Sequence, residues 1–159
     1  MTRVISGLVG ILAAGMVTAT LSAIPASASR PPLARSAATY AQAAFDATNA
    51  ARGRHDRRAL KKGACLQRYA VRQATRQARQ DRMFHQDLGA IQRACNMGWV
   101  GENVAVGYPS GRSLVNQGWM RSSGHRANIL NRHFTLMGLA ARQSADGRWY
   151  AAQVFGRRM

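Results

Sequence analysis

The chain has 159 residues, and 47 % of them are hydrophobic, which excludes an intrinsically disordered protein and favours one globular domain with its own core. Its 23 lysine and arginine residues outnumber the 6 acidic residues, giving a net charge of +17. We therefore expect polyanionic partners and a monomer, because like-charged copies repel each other.

The first 28 residues have the composition of a secretory signal peptide. Arg3 supplies the positive start, residues 4–17 form an apolar run, and the small residues 26–28 form the cleavage pattern. The alternative is a retained membrane anchor, for which the apolar run is short. We therefore expect a secreted protein with no transmembrane segment after cleavage. A short tether would cover 29–38 and a single domain 39–159.

Apolar residues recur at helical spacing in four later segments. The predicted helices cover residues 39–52, 64–83, 88–94 and 113–120. The second of them is expected to direct these side chains into the core: Leu66, Tyr69, Ala70, Ala74 and Ala78. A turn is predicted at Gly98-Trp99.

A different face of the second predicted helix carries four arginines: Arg68, Arg72, Arg76 and Arg79. Like charges at this spacing repel each other, and each pair costs a helix roughly 0.2–0.5 kcal/mol. This arginine stripe is either a solvated face or a surface that binds polyanions. The sequence leaves both interpretations open.

Two segments near the end of the chain have the pattern of paired strands. They cover 134–142 and 148–155, and Asp146-Gly147 between them is a turn signal. The second segment carries apolar side chains on both faces, so the sheet is expected to be covered on both sides. Residues 101–107 read as a further strand or extended segment, since a glycine stands at each end of a short apolar run.

The chain contains two cysteines, Cys65 and Cys95. An even number of cysteines in a secreted chain predicts a disulfide, here between the start of the second helix and the segment before Glu102. The alternative is a pair of buried free thiols.

Glu102 is the only glutamate in the sequence, and it lies among apolar and glycine residues. Burying a carboxylate is costly unless it is paired, so Glu102 is either a costly exception or a functional group. Ser122 or Ser123 is expected to cap a short helix, which places His125 in the first helical turn. The positive end of a helix favours the neutral imidazole, the form that binds metals.

These residues belong to four blocks that together resemble the CAP superfamily, the cysteine-rich secretory, antigen-five and pathogenesis-related proteins. The blocks are 83–86, 101–103, 118–130 and 150–156. The resemblance is strongest to the secreted bacterial branch, and it extends over residues 40–156. It implies an α+β fold, a single CAP/SCP-type α-β-α sandwich with a small antiparallel sheet between helices.

The resemblance also implies a polar cavity lined by two histidines and two acids. His85, Glu102 and His125 stand at three of these positions, and Ser122 stands where the second acid is expected. Two histidines and a carboxylate suit zinc, with water in an open position. The alternative is a hydrogen-bonded His-Glu-His network without metal.

Two classes of function fit these residues. The first is a secreted binding or accessory protein of the cell envelope, with anionic envelope polymers or lipids as partners. The second is a metal-assisted hydrolase that uses Glu102 with His85 and His125. A glycosidase would need a second acid, for which Asp87 is the nearest, and a serine protease would need Ser122 or Ser123 beside His125. No motif for specific nucleic-acid binding is present.

Overall fold

The computed structural model describes Met1 and residues 36–159, so the predicted signal peptide after Met1 and most of the predicted tether lie outside the described residues. The helices and strands of the described part are, in chain order, α1 (Ala37–Gly53), β1 (Lys61–Lys62), α2 (Ala64–Gln80), α3 (Leu88–Cys95), β2 (Met97–Val106), α4 (Gly111–Ser113), α5 (Ser123–Leu130), β3 (Leu136–Gln143) and β4 (Trp149–Arg158). None of the helices in this part of the chain is long and apolar enough to cross a membrane.

The four strands form one sheet in the order β1-β3-β4-β2. The three long strands are antiparallel, as predicted, while the two-residue β1 pairs parallel with β3 and makes the sheet mixed. The predicted turn at Asp146-Gly147 is confirmed, and Gly147 adopts a φ of +82° that suits glycine. The predicted turn at Gly98-Trp99 is wrong, because both residues lie in β2, where the register shifts between Met97 and Trp99.

Helices cover both faces of the sheet, so the predicted α-β-α sandwich is confirmed. One face packs against α1, α5 and residues 114–119, and we call it the α1 face. The other packs against α2 and α3, and we call it the α2 face. Along β4 the side chains alternate between them, with Ala151 and Phe155 in the α1-face core and Ala152 and Val154 in the α2-face core.

Helix α1 begins at Ala37, two residues before the predicted start, because Ser36 caps it by accepting a hydrogen bond from the backbone N–H of Thr39 at 3.1 Å. Its buried residues recur on one face, which includes Tyr40, Ala44 and Thr48.

Helix α2 ends at Gln80, before the predicted end, because Asp81 adopts a left-handed conformation with a φ of +48°. Four of the five predicted core residues are buried, and Tyr69 is half-buried. Gln73 and Gln77 are also fully buried, which the helical pattern did not predict. The helix approaches β3 closely, since a Cβ on Gly138 would lie 2.3 Å from the α2 backbone.

The disulfide between Cys65 and Cys95 is confirmed, and the two Cα atoms are 5.7 Å apart. It connects the start of α2 to the end of α3, just before β2 enters the sheet. The two cysteines are 30 residues apart, and closing such a loop stabilises a protein by roughly 3–4 kcal/mol in the chain-entropy model.

The predicted helix at 113–120 is helical but irregular. It begins as α4, continues as a π-helical turn over Leu114–Gly118, and ends as a 3-10 turn over Trp119–Arg121. The buried Trp119 donates its indole N–H to the backbone carbonyl of Val104 at 3.3 Å. This contact fixes the segment against β2 just before α5 begins.

Candidate functional site

Glu102 lies in β2 with its side chain directed to the α2 face, and only 4 % of the residue is exposed. Its Oε2 atom lies 2.8 Å from Nδ1 of His85 and accepts the backbone N–H of Gln86 at 3.2 Å. Its Oε1 atom accepts the side-chain amide of Gln86 at 2.6 Å. The buried carboxyl group is therefore held by three groups from one short segment, so each of its oxygens has a hydrogen-bond partner, as buried polar groups require.

That segment, residues 82–87, follows the end of α2 and is held from two sides. The buried amide of Gln73 donates a hydrogen bond to the backbone carbonyl of Phe84. The guanidinium groups of Arg76 and Arg82 each lie 5.2 Å from the centre of the Phe84 ring. His85 then reaches Glu102 while 59 % of its side chain stays exposed, so the rest of its imidazole faces solvent.

His125 lies in the first turn of α5, as predicted. Burial lowers its pKa, and the nearby His85 lowers the pKa further, so the neutral imidazole is favoured. Ser122 occupies the N-cap position, as expected, but its side chain does not form the capping hydrogen bond. The neutral form therefore results from burial and from His85.

A chain of hydrogen-bonded side-chain amides runs from α5 across the sheet to α1, and two of its members, Asn103 and Gln153, are fully buried. Asn128 donates to the side-chain oxygen of Asn103 at 2.9 Å, and Asn103 donates to Gln153 at 3.1 Å and to the backbone carbonyl of His125 at 3.2 Å. Gln153 then donates to the hydroxyl of Thr48 in α1 at 2.9 Å. We call these four residues, Asn128, Asn103, Gln153 and Thr48, the amide relay, and it positions α5 on β2. Its signal in the sequence is one polar residue within each of two apolar strands, Asn103 in β2 and Gln153 in β4.

The structure brings His85 and Glu102 into contact and places His125 near His85. It does not arrange the three residues as a three-ligand set, and within residues 36–159 no group of three or more His, Cys, Asp or Glu side chains is placed to hold a metal ion. Both carboxylate oxygens already accept hydrogen bonds. With Nδ1 of His85 next to Glu102, its Nε2 is the nitrogen free to bind a metal, and the carboxylate would orient the ring, as carboxylates commonly do for metal-binding histidines.

Comparison with known proteins assigns the chain to a family. The family model described as "CAP: Cysteine-rich secretory protein family" matches residues 45–155. The chain belongs to the CAP family. Glu102, His85 and His125 all lie in the matched region of the CAP domain. A search of curated proteins finds no match.

Three solved structures resemble this CAP domain. An extracellular SCP-domain protein from Bacillus anthracis is 28 % identical with a TM-score of 0.63, and the match covers 75 % of this chain and 40 % of that one. A cysteine-rich secretory protein from Staphylococcus aureus is 20 % identical with a TM-score of 0.67, covering 80 % and 40 %. An outer surface protein from Borrelia burgdorferi is 18 % identical with a TM-score of 0.64, covering 72 % and 90 %. The matches to the Staphylococcus aureus and Borrelia burgdorferi proteins concern the fold alone. This chain spans about two fifths of the Bacillus anthracis and Staphylococcus aureus proteins.

The other residues considered for hydrolysis have different surroundings in the CAP domain. Asp87 caps α3, where its side chain accepts the backbone N–H of Ala90 at 3.1 Å. In the described part of the chain, neither Ser122 nor Ser123 forms a side-chain hydrogen bond to His125. These contacts give neither a second acid beside Glu102 nor a serine activated by a histidine.

The arginine stripe is exposed along α2, as the helical pattern predicted. Arg72 lies over the ring of Tyr69 at 4.3 Å and Arg76 over that of Phe84. Arg68 and Arg72 also line a small surface hollow beside the disulfide. Two of the four guanidinium groups are thus already in contact with aromatic faces, which is the packing expected of a solvated helix surface.

Proposed function

We propose that the protein is a secreted bacterial CAP-domain protein that acts by binding at the cell envelope or outside the cell, and that its His85–Glu102–His125 site can take a divalent metal. The observation that carries the proposal is the orientation of His85 by a fully hydrogen-bonded Glu102, next to a neutral His125. An oriented imidazole beside a second, neutral one is a site for binding, and it needs no further reacting group to bind.

Zinc is the metal that the donor set fits best. Zinc prefers imidazole nitrogen and accepts water in the remaining positions, whereas magnesium and calcium prefer oxygen ligands. His85 would bind through Nε2 and His125 through a ring nitrogen, while Glu102 holds the His85 ring. Only two protein ligands are available, so we expect modest affinity.

The location of similar proteins supports an envelope role. One solved relative is named as an extracellular protein and another as an outer surface protein. The predicted signal peptide agrees with a location outside the cytoplasm. A net charge of +17 favours anionic envelope polymers or lipids as partners.

The geometry does not favour the alternative of a metal-assisted hydrolase. A general base needs a lone pair that the attacking water can reach, but Glu102 is only 4 % exposed and both of its oxygens already contact His85 or Gln86. We therefore expect no turnover of peptide, ester or glycoside substrates that depends on Glu102.

Zinc titration into the metal-free mature protein by calorimetry tests the metal site. His85→Ala and His125→Ala should each abolish the binding heat, and His55→Ala, in the loop after α1, is the matched control. Retention on purified envelope fractions and on phosphatidylglycerol vesicles tests the binding role. Zinc binding that is equal in all variants would contradict the metal site. A substrate that the wild type turns over and the Glu102→Gln variant does not would show that the protein is an enzyme, against the proposed binding function.

A further inference from the structure

A groove of about 830 Å³ lies between the α1–β1 connection, the start of β3 and the end of β4, and no residue of the His85–Glu102–His125 site lines it. Six basic residues line this basic groove: Arg52, Arg57, Arg58, Lys61, Arg132 and Arg157. Asp56 is the single acidic residue among those that line it. The sequence analysis had instead identified the His85–Glu102–His125 site and the arginine stripe of α2.

Arg52 is the buried member of the groove, with 1 % of the residue exposed. Its guanidinium donates hydrogen bonds of 2.6–2.9 Å to three backbone carbonyls, those of Arg58, Ile129 and Asn131. No carboxylate of residues 36–159 forms an ion pair with it. Burial lowers the pKa of Arg52, and Arg57 lowers it further, because no opposite charge offsets the cost of burying the cation.

The other basic side chains of the groove divide into two groups. Arg57 donates to the backbone carbonyl of Leu130 at 3.1 Å, so it helps to hold the end of α5. Four others form no ion pair in the described part of the chain: Arg58, Lys61, Arg132 and Arg157. Four basic side chains without an ion pair therefore line the same groove as the buried Arg52. An anion bound in this groove would supply the missing negative charge.

An aromatic platform borders this groove. Trp99 is 48 % exposed, and its ring stacks on that of His133 with centroids 4.2 Å apart and planes 2° apart. Trp99 is paired across the sheet with the groove-lining Arg157. His133 lies in the chain between Arg132 and Phe134, which both line the groove. A large exposed aromatic surface beside a cationic groove is typical of sites that bind a ring next to an anionic group.

We propose that the basic groove binds the phosphate groups of a linear sugar-phosphate polymer of the cell envelope, with a sugar ring on the Trp99–His133 platform. The proposal deepens the envelope-binding role above and rests on it, since it assigns that role a partner and a surface. Arginine forks match phosphate oxygens in pairs, and the open groove lets a chain pass through.

Single-stranded nucleic acid shares the phosphodiester chemistry, but it fits less well. Proteins that bind it stack successive bases on several aromatic side chains. Among the described residues, Trp99 is the only aromatic that is exposed to this degree. One platform is enough for a polymer whose affinity comes mainly from its phosphates.

Two variants with equal loss of charge test the groove. The groove variant carries Arg58→Gln, Lys61→Gln, Arg132→Gln and Arg157→Gln. The stripe variant carries Arg68→Gln, Arg72→Gln, Arg76→Gln and Arg79→Gln. Arg52 is left intact in both, because it holds the end of α5. The measurement is the Kd of the mature protein for a poly(hexosamine phosphate) chain over a range of salt concentrations, with circular dichroism as the check that both variants fold.

We expect the groove variant to weaken binding roughly tenfold or more, and the slope of its salt dependence to fall by about 0.7 for each phosphate that the protein no longer neutralises. The stripe variant should change the Kd by less than about threefold, because its arginines do not converge on one site. Equal losses of affinity in the two variants would overturn the groove proposal, since general charge would then explain binding. That result would leave envelope binding itself intact, whereas a wild type that is not retained on envelope fractions would contradict the proposed function.

Trp99→Ala tests the platform. It should weaken binding of the poly(hexosamine phosphate) chain and leave binding of inorganic polyphosphate, which has no ring, unchanged. If Trp99→Ala weakens the binding of both polymers equally, the platform does not bind a sugar ring. Tighter binding to an oligodeoxythymidylate of equal charge than to the sugar-phosphate chain would overturn the assignment in favour of nucleic acid.

Discussion

The two faces of the sheet bury polar side chains in different ways. On the α1 face, Thr48, Gln153 and Asn103 are fully buried, and each is hydrogen-bonded within the amide relay. On the α2 face, Gln73 and Gln77 are also fully buried, but three of their side-chain atoms have no hydrogen-bond partner in the protein. An unpaired buried amide costs free energy, whereas a paired one does not.

This difference shows which face is optimised for stability. The α1 face is held by hydrogen bonds that connect α1, the sheet and α5. The α2 face carries the disulfide, the Glu102 site and the unpaired amides together. We infer that the covalent link stabilises a face on which two buried amide side chains are incompletely hydrogen-bonded.

Removing the disulfide should have the largest effect on this contrast. Cys65→Ser with Cys95→Ser is expected to lower the free energy of unfolding by roughly 3–4 kcal/mol, because the unfolded chain regains the entropy of an open loop. Urea unfolding followed by circular dichroism measures the change. A variant as stable as the wild type would mean that the α2 face does not depend on the bond.

Breaking the amide relay should have the next largest effect. Gln153→Met keeps the approximate volume of the side chain but leaves the Thr48 hydroxyl and one Asn103 proton without their partner. The expected loss is about 1–3 kcal/mol, measured in the same urea titration. A smaller loss than that for an exposed Gln143→Met control would show that the relay contributes nothing.

The matched change on the α2 face should have the opposite sign. Gln77→Met removes two buried atoms that have no partner and replaces them with apolar ones of similar size. The variant is therefore expected to be more stable by about 1 kcal/mol, or at least unchanged. Destabilisation comparable to that of Gln153→Met would erase the contrast between the two faces.

The smallest effect concerns the β3–β4 turn, next to the end of α2. Hydrogen bonds from Ser144 and Arg148 lower the pKa of Asp146 from 3.8 to about 2. Because the folded pKa is depressed, the ionised carboxylate contributes stability above pH 3.8, and this contribution is lost as the pH falls towards 2.

Asp146→Asn should therefore flatten the pH dependence of stability in this window. Thermal unfolding between pH 2 and 5 measures the difference between variant and wild type. Two identical profiles would show that the carboxylate has the same pKa in the folded and unfolded states.

The sequence predicted the elements whose residues repeat regularly. The strand pattern around Asp146-Gly147 and the core face of α2 were correct because burial follows the period of each element. The turn at Gly98-Trp99 was wrong because glycine also occurs where a strand bulges. Contacts between distant segments could not be predicted in this way.

The residues of the candidate site came from the sequence, but their contacts came only from the structure. The family resemblance gave His85, Glu102 and His125, whereas the role of Gln86 in occupying the carboxylate depends on how residues 82–87 fold back onto β2. The burial of Arg52 was missed for a similar reason. Its partners at Ile129 and Asn131 lie more than 70 residues away in the chain, and an arginine at a helix end is usually exposed.

The central claim is that Glu102 orients His85 and leaves metal binding to the two imidazoles. Diffraction from crystals soaked in zinc, with anomalous data at the zinc absorption edge, tests this claim directly. We predict one anomalous peak about 2 Å from Nε2 of His85 and from a ring nitrogen of His125, with Glu102 still on Nδ1 of His85. A peak bonded to a carboxylate oxygen of Glu102, or no peak at these histidines, would contradict it.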